Sequence, residues 1–308
     1  MTTKPFVTMD PEVLTTFETD ASGLHLRPDA VARPGSEAEV VELLRQASAD
    51  GTSVTPAGGQ TSTTGASITN GGTLLSLRGL DGILDLNLRA RTVRVQPGAF
   101  VGDVKRAAAA EGLLFAPDPT SEDECTIGGA IACNASGART LKYGATRQHV
   151  HAIRVALANG EILELRRSAL EKNTVGYTFA HDPIDWFIGS EGTLGVILDA
   201  ELALLPLPPM SIGIAVPFTN EADALRFVVA ARDATSVTPR CLEYFDELAF
   251  AIARTADDQS GWAATAATMV YVEQEVAGDL DDALTGWLAL AESSGALDDL
   301  RVFESDTQ

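Results

Sequence analysis

Over residues 36–51 apolar positions recur with the period of a helix. Val40, Val41, Leu43, Leu44 and Ala47 make one face, and Gly51 is the stop. Ser36-Glu37-Ala38-Glu39 reads as a capping box: Ser36 accepts from the first turn and Glu39 reaches back. Short β-type runs follow at Thr52–Val54, Leu74–Leu77, Ile83–Leu88 and Thr92–Gln96, where Val93 and Val95 alternate with polar neighbours. Pro97-Gly98 ends that series, and residues 101–111 return to a helical period. Residues 112–148 are rich in glycine and small polar residues with little periodicity, which in a compact domain marks a functional stretch. A hairpin follows, with strands at 153–157 and 161–165 around Ala158-Asn159-Gly160, and Asn-Gly favours a type I′ turn. A short helix at Pro183–Phe187 and a buried strand at Val196–Leu204 complete this part.

Pro206-Leu207-Pro208-Pro209 is the expected boundary, and beyond it strands alternate with helices. Strands are expected at 212–218, 240–245, 268–273 and 300–303, and helices at 221–231, 247–254 and 280–292. The pattern predicts an α+β sandwich with helices on one face of a sheet, ending without a closing element.

Composition narrows the partners. The 308 residues carry 43 acidic and 22 basic side chains, a formal net charge of −21. Such a balance argues against nucleic acid and against docking on anionic lipid, both of which need clustered cations. No signal-peptide pattern or membrane-length apolar run is present, so the chain reads as soluble, with no integral membrane segment. The three cysteines, Cys125, Cys133 and Cys241, form no CxxC pair, which fits a reducing, cytoplasmic compartment. Cys125 and Cys133 read as small packing residues. His149-x-His151 has a metal spacing but no third ligand placed with it, so surface or satisfied histidines are favoured.

The chemistry concentrates in two glycine segments, Pro56–Ala66 and Thr126–Gly129. Little side-chain bulk and many backbone N–H groups suit the oxygens of a phosphorylated cofactor, with a flexible loop as the alternative. No Gly-x-x-x-x-Gly-Lys-Ser/Thr occurs, which excludes a P-loop, and no Gly-x-Gly-x-x-Gly opens a helix after a first strand. Glycines in two separated loops suit a long cofactor held between two small subdomains.

These stretches carry a resemblance. Thr19–Ser22, Arg33-Pro34, Pro56–Ala66, Val95–Gly98, Pro117–Thr120, Thr126–Ala138, Lys142–Gly144 and Ile188–Ile197 resemble, in order and spacing, the PCMH-type FAD-binding domain of the vanillyl-alcohol oxidase superfamily. The nearest branch contains D-lactate dehydrogenase, D-2-hydroxyglutarate dehydrogenase and the glycolate oxidase flavin subunit. The resemblance covers roughly residues 19–208. It implies an α+β chain: an FAD-binding domain over 1–208, with subdomains at about 30–90 and 91–208, then a truncated ferredoxin-like cap over 209–308.

The resemblance also implies roles. Ala57, Gly58, Gly59, Gln60, Thr61 and Ser62, with Gly65 in the same loop, would wrap the pyrophosphate, a Cβ at Gly58 or Gly59 blocking close approach. Pro117, Asp118, Pro119, Thr120, Ile127, Gly128 and Gly129 would line the flavin ring and ribityl chain. Ala132, Asn134 and Gly137 would continue along the cofactor, and Gly192, Val196 and Ile197 would close the adenine or pyrophosphate side. Relatives often carry Arg at the position of Ala57. Members that bind flavin through histidine have it at the position of Gln60, so non-covalent FAD is expected.

The implied activity is oxidation of a small 2-hydroxy acid such as D-lactate, glycolate or D-2-hydroxyglutarate, with hydride passing to the flavin and no catalytic base assigned. In that branch a His/Glu metal cluster lies in the C-terminal part of the cap. Here Asp298, Asp299 and Glu304 are acidic, but no histidine follows His181, so neither a metal nor an iron–sulfur centre is expected in this chain. Arg240 reads as a surface arginine, with a substrate carboxylate as its alternative partner. The other functional readings are a catalytically incomplete FAD-binding or electron-transfer subunit, completed by a partner chain or missing segment, and a sugar or alditol oxidase.

Overall fold

A computed structural model describes residues 6–168, 172, 174, 182–255 and 261–303. His181 and Glu304 lie outside the described residues. The chain is a mixed α/β protein with several sheets, divided into two compact units. The first comprises residues 1–137 and 145–206, the second 138–144 and 207–308.

The first unit begins with β1 (Val7–Thr8), α1 (Pro11–Thr15), β2 (Ala30–Ala32), α2 (Glu37–Asp50), β3 (Val54–Ala57) and β4 (Thr73–Ser76). The sheet order is β1-β2-β4-β3, with β2 and β3 each parallel to β4. Helix α2 starts where the capping box places it: Ser36 accepts from the Glu39 N–H, while the Glu39 carboxylate takes the N–H of Gly35 instead of Ser36. Strand β3 runs further than Thr52–Val54 and takes in Pro56 and Ala57. It is an edge strand, where a proline without an N–H costs the ladder nothing.

A second sheet follows, with β5 (Ile83–Asn87), β6 (Thr92–Val95), α3 (Val101–Ala110), β7 (Leu113–Leu114), α4 (Ile127–Ala132), α5 (Thr140–Tyr143), β8 (Val150–Ala156), β9 (Ile162–Arg166), α6 (Ile184–Phe187), β10 (Val196–Ala203) and β11 (Leu205–Pro206). Its order is β5-β6-β10-β8-β9, antiparallel throughout; β7 and β11 pair separately, and α5 belongs to the second unit. The β8–β9 turn departs from the expected type I′. Of Asn159 and Gly160 only Gly160 is left-handed, and its N–H bonds to the Leu157 carbonyl, a three-residue loop closed by glycine.

One core packs α3, α4 and α6 on the second sheet through Val95, Val104, Phe115, Ile127, Ile131 and Ile188. Each large apolar side chain so buried contributes about 1.5–3 kcal/mol. Another core places α2 over both sheets, through Val40, Leu44, Leu75, Val196 and Leu198. The buried Asp199 of β10 joins them further: it takes a bidentate Arg94 at 2.9 and 3.0 Å and shares Arg154 with Glu37 at the start of α2.

The second unit contains β12 (Ser211–Phe218), α7 (Glu221–Asp233), β13 (Pro239–Phe245), α8 (Glu247–Thr255), β14 (Thr268–Glu275), α9 (Leu280–Ser293) and β15 (Arg301–Phe303). The order β13-β14-β12-β15 with antiparallel neighbours is the ferredoxin-like arrangement, α8 being added between the second and third strands. Helices α7 and α9 pack through Phe227 and Trp287 on Ile214, Val216, Val270 and Val272. Arg240 is a correction to the surface reading: its side chain is 4% exposed and its Nε lies 2.8 Å from Glu273 Oε2. Glu273 also takes Arg139 at 2.8 Å and the Tyr271 hydroxyl at 3.1 Å. Burial pushes the Glu273 carboxyl up, and the two arginines and Tyr271 more than offset this, so it lies below the ordinary carboxylate value.

Candidate functional site: a cavity between the glycine loops

The first unit contains a cavity of about 800 Å³, the size of an organic cofactor site. Four wall segments supply most of it: the end of β3 with the loop after it, residues 119–126, α4 with its following turn, and residues 187–197. The lining is mostly small residues. Thr61, Ser62, Thr63, Thr64, Thr120, Ser121, Ser136 and Ser190 supply hydroxyls, Asp123, Glu124 and Glu191 are acidic, and no Lys or Arg lines it among the described residues. Asp123 is itself paired with Arg106 at 2.7 Å.

The first glycine loop leaves β3 against residues 124–126. A Cβ on Gly58 would fall 2.2 Å from Thr126 Oγ1, and one on Gly59 would fall 2.0 Å from the Glu124 carbonyl oxygen. The glycines are therefore demanded by the protein's own packing before any ligand is considered. Among the described residues no acceptor takes the N–H groups of residues 58–63. Main-chain donors left free along a cavity suit an anion with several oxygens, such as a pyrophosphate, bound without cationic side chains.

Gln60 has a left-handed backbone, φ 57°, and its amide donates to the Thr19 carbonyl at 2.9 Å. The Ser67 hydroxyl donates to Asp20 at 3.1 Å. The Thr19–Ser22 stretch thus braces the loop from behind.

The second glycine segment is not a loop. It is the first turn of α4, where Thr126 caps the helix by accepting from the Gly129 N–H. Gly128 lies against Pro97, with 2.6 Å from an added Cβ to the proline Cβ. Cys133, expected as a packing residue, is exposed and lines the cavity, whereas Cys125 is buried.

The last wall is held by an ionic knot. Asp185 of α6 takes Arg147 at 2.8 Å and Arg167 at 2.6 and 3.0 Å. Arg147 also donates to the Asp185 and Ile188 carbonyls, and its backbone N–H donates to Asn134 Oδ1 at 2.9 Å. The knot thereby ties residues 187–192 to the turn after α4. The Arg167 hydrogen bond, with Arg147 beside it, holds the Asp185 carboxyl below the usual range.

Of the residues singled out from sequence, Ala57, Gly58, Gly59, Gln60, Thr61, Ser62, Pro119, Thr120, Gly128, Gly129, Ala132, Gly192, Val196 and Ile197 line the cavity. Gly65, Pro117, Asp118, Ile127, Asn134 and Gly137 do not. Ile127 points into the core, Asn134 caps Arg147, and Gly137 sits on Asp118, whose carbonyl oxygen would be 1.9 Å from a Cβ. Thr64, Thr126, Ser190 and Glu191 also line the cavity; they fall inside the quoted stretches, but the sequence assigns them no role of their own. Glu191 lies within the quoted Ile188–Ile197 motif, but nothing local marks its side chain as reaching another loop. His149 is buried with its ring edge-on to Phe115, at 6.3 Å between centroids. No helix among the described residues is long and apolar enough to cross a membrane.

Comparisons with known proteins agree on the domain. The family described as FAD binding domain matches residues 28–166. A D-2-hydroxyglutarate dehydrogenase of Xanthomonas citri pv. viticola is 43% identical over 185 residues, covering 60% of this chain and 38% of that protein. A D-lactate dehydrogenase of Anaerostipes hadrus is 33% identical, covering 72% of this chain and 45% of the other. A glycolate oxidase subunit, GlcD, of Bacillus subtilis is 36% identical, covering 71% and 46%. The chain therefore spans less than half the length of these three relatives. In fold it matches the solved structure of an alkyldihydroxyacetonephosphate synthase with a TM-score of 0.79 at 19% identity, over 96% of this chain and 58% of that one. Residues 28–166 thus match the FAD binding domain family, and the chain is similar over a longer stretch to D-2-hydroxyglutarate and D-lactate dehydrogenases and to a glycolate oxidase subunit.

Proposed function

We propose that this chain is the FAD-binding part of a flavin-dependent dehydrogenase acting on a small 2-hydroxy acid such as D-lactate, glycolate or D-2-hydroxyglutarate. The observation that carries the reading is the run of free N–H groups at residues 58–63 along a small-residue cavity. Bound FAD would supply a hydride acceptor for the carbon bearing the substrate hydroxyl.

The protein's own part is binding and orientation. Gly58 to Ser62 would hold the pyrophosphate through main-chain donors, and Thr61 and Ser62 add hydroxyls. Pro119, Thr120, Gly128 and Gly129 would lie along the flavin and ribityl part, and Gly192, Val196 and Ile197 along the adenine side. Gln60 keeps FAD non-covalent, since an amide donating to Thr19 is no nucleophile. Three cysteines with no CxxC pair among them favour a cytoplasmic setting.

The test is to load the purified protein with FAD and add each of the three acids without oxygen. Bleaching of the flavin absorption by one of them is expected. An FAD-loaded protein that none of them bleaches would reject the dehydrogenase reading for this chain and favour an incomplete electron-transfer subunit. Acid precipitation is expected to leave the flavin in the supernatant; flavin in the pellet would refute non-covalent binding.

A further inference from the structure

The loop after β3 is held differently at its two ends. Its base is fixed, because Gly58 and Gly59 lie in contact with Thr126 and Glu124. Its far end is held by a chain of hydroxyls: Ser62 Oγ is 2.9 Å from Thr64 Oγ1, and the Thr64 hydroxyl donates to Glu191 Oε1 at 3.1 Å. That last bond joins two cavity walls 127 residues apart in sequence. Glu191 also fastens a third wall, its backbone N–H donating to the Ala132 carbonyl at 2.8 Å. Its φ of 52° is a left-handed conformation that residues with a side chain seldom adopt, and such outliers persist where the surroundings hold them. Thr64 and Glu191 are both exposed, so their bond can break without uncovering any core.

We propose that Thr64 and Glu191 form a clasp over the FAD groove. The hydroxyl–carboxylate bond opens to admit the cofactor and recloses once it is seated, so it sets the rate of cofactor exchange. The free N–H groups of residues 60–63 lie between the fixed base and this clasp, so most of the segment that would grip the pyrophosphate is what the clasp releases. The proposal rests on the FAD reading of this cavity.

Stopped-flow mixing of FAD with apoprotein, followed by flavin fluorescence, tests it. Thr64→Val and Glu191→Ala should each speed both association and dissociation about fivefold, the worth of one modest hydrogen bond. Thr64→Ser and Glu191→Gln each keep the bond and should stay near the unsubstituted rates. The double variant T64V/E191A should be no faster than either single one. The thermal stability of the apoproteins should fall by no more than that one bond is worth, as both positions are exposed and no core is uncovered. The clasp is overturned if Thr64→Val leaves both rates alone or raises dissociation only, which would make Thr64 a simple ligand contact. It is equally overturned if Glu191→Gln matches Glu191→Ala with a strong salt dependence, which would make charge the operative feature. An unsubstituted protein that takes up no FAD would instead reject the FAD reading itself.

Discussion

At the scale of single residues, the glycines of the site separate into two kinds with the same steric demand and different consequences. Gly59 lines the cavity and abuts the Glu124 carbonyl; Gly137 lies outside the lining and abuts the Asp118 carbonyl. Gly59→Ala and Gly137→Ala should each cost about 1–3 kcal/mol, because a backbone oxygen cannot swing aside as a side chain does. Denaturant titration of the apoproteins measures this. Gly59→Ala should also weaken FAD binding several-fold, whereas Gly137→Ala should do so much less; equal losses in both would argue that the Gly59 segment does not touch the cofactor. Glycine frequency and order were legible in the chain, but the atom each glycine approaches was not. Residues 124 and 118 enter these contacts only after α4 and its flanking turns have folded.

At the scale of elements, periodicity carried most of the structure. The helices at α2, α7 and α9 and the strands of the second unit stand within one or two residues of their expected bounds, since each has a sustained apolar face. What periodicity missed were elements set by position or by distant partners. Helix α4 has two glycines and no polar face, so its start is visible only through the Thr126 cap. Arg240 is inside because Glu273, 33 residues away, is there to meet it.

Two predictions belong at this scale. Asp185 pins α6 and the wall beyond it, and its carboxyl is held low by Arg167 and Arg147. Its contribution is therefore present above the ordinary carboxylate value, about pH 4, and is lost as the pH falls through its lowered value in the folded state. Asp185→Asn should cost about 1 kcal/mol at neutral pH, since its partners are partly exposed, and the gap to the unsubstituted protein should close on acidification. Urea midpoints across an acid pH series measure this; a gap independent of pH would refute it. The Glu273 cluster is drier, with side-chain exposures of 4% for Arg240 and 10% for Glu273. Glu273→Gln leaves two guanidiniums without their shared anion and should cost about 3–5 kcal/mol in the unit that contains them, read from its calorimetric transition.

At the scale of the whole molecule, the chain holds separate apolar cores: one set around the first two sheets, another around the third. Ligand linkage should therefore be selective. FAD at a hundred times its dissociation constant should stabilise the first unit by about 2.7 kcal/mol. It should leave the transition of the second unit, identified by its loss in Glu273→Gln, where it was. Two calorimetric transitions rising together would show that the units unfold as one.

The excursion of residues 138–144 has a consequence in time. Arg139 leaves the ribosome 134 residues ahead of Glu273, the carboxylate it meets in the finished fold. At ordinary elongation rates that is a wait on the order of ten seconds. Lys142 and Tyr143 wait likewise for Glu275. Once residue 206 has emerged the first unit can close its own sheets, while this seven-residue strap is still without the carboxylates it meets in the finished fold. A gene cut after Pro206 would make that transient permanent. Shortening the strap to a plain turn is therefore the natural way to express the first unit by itself.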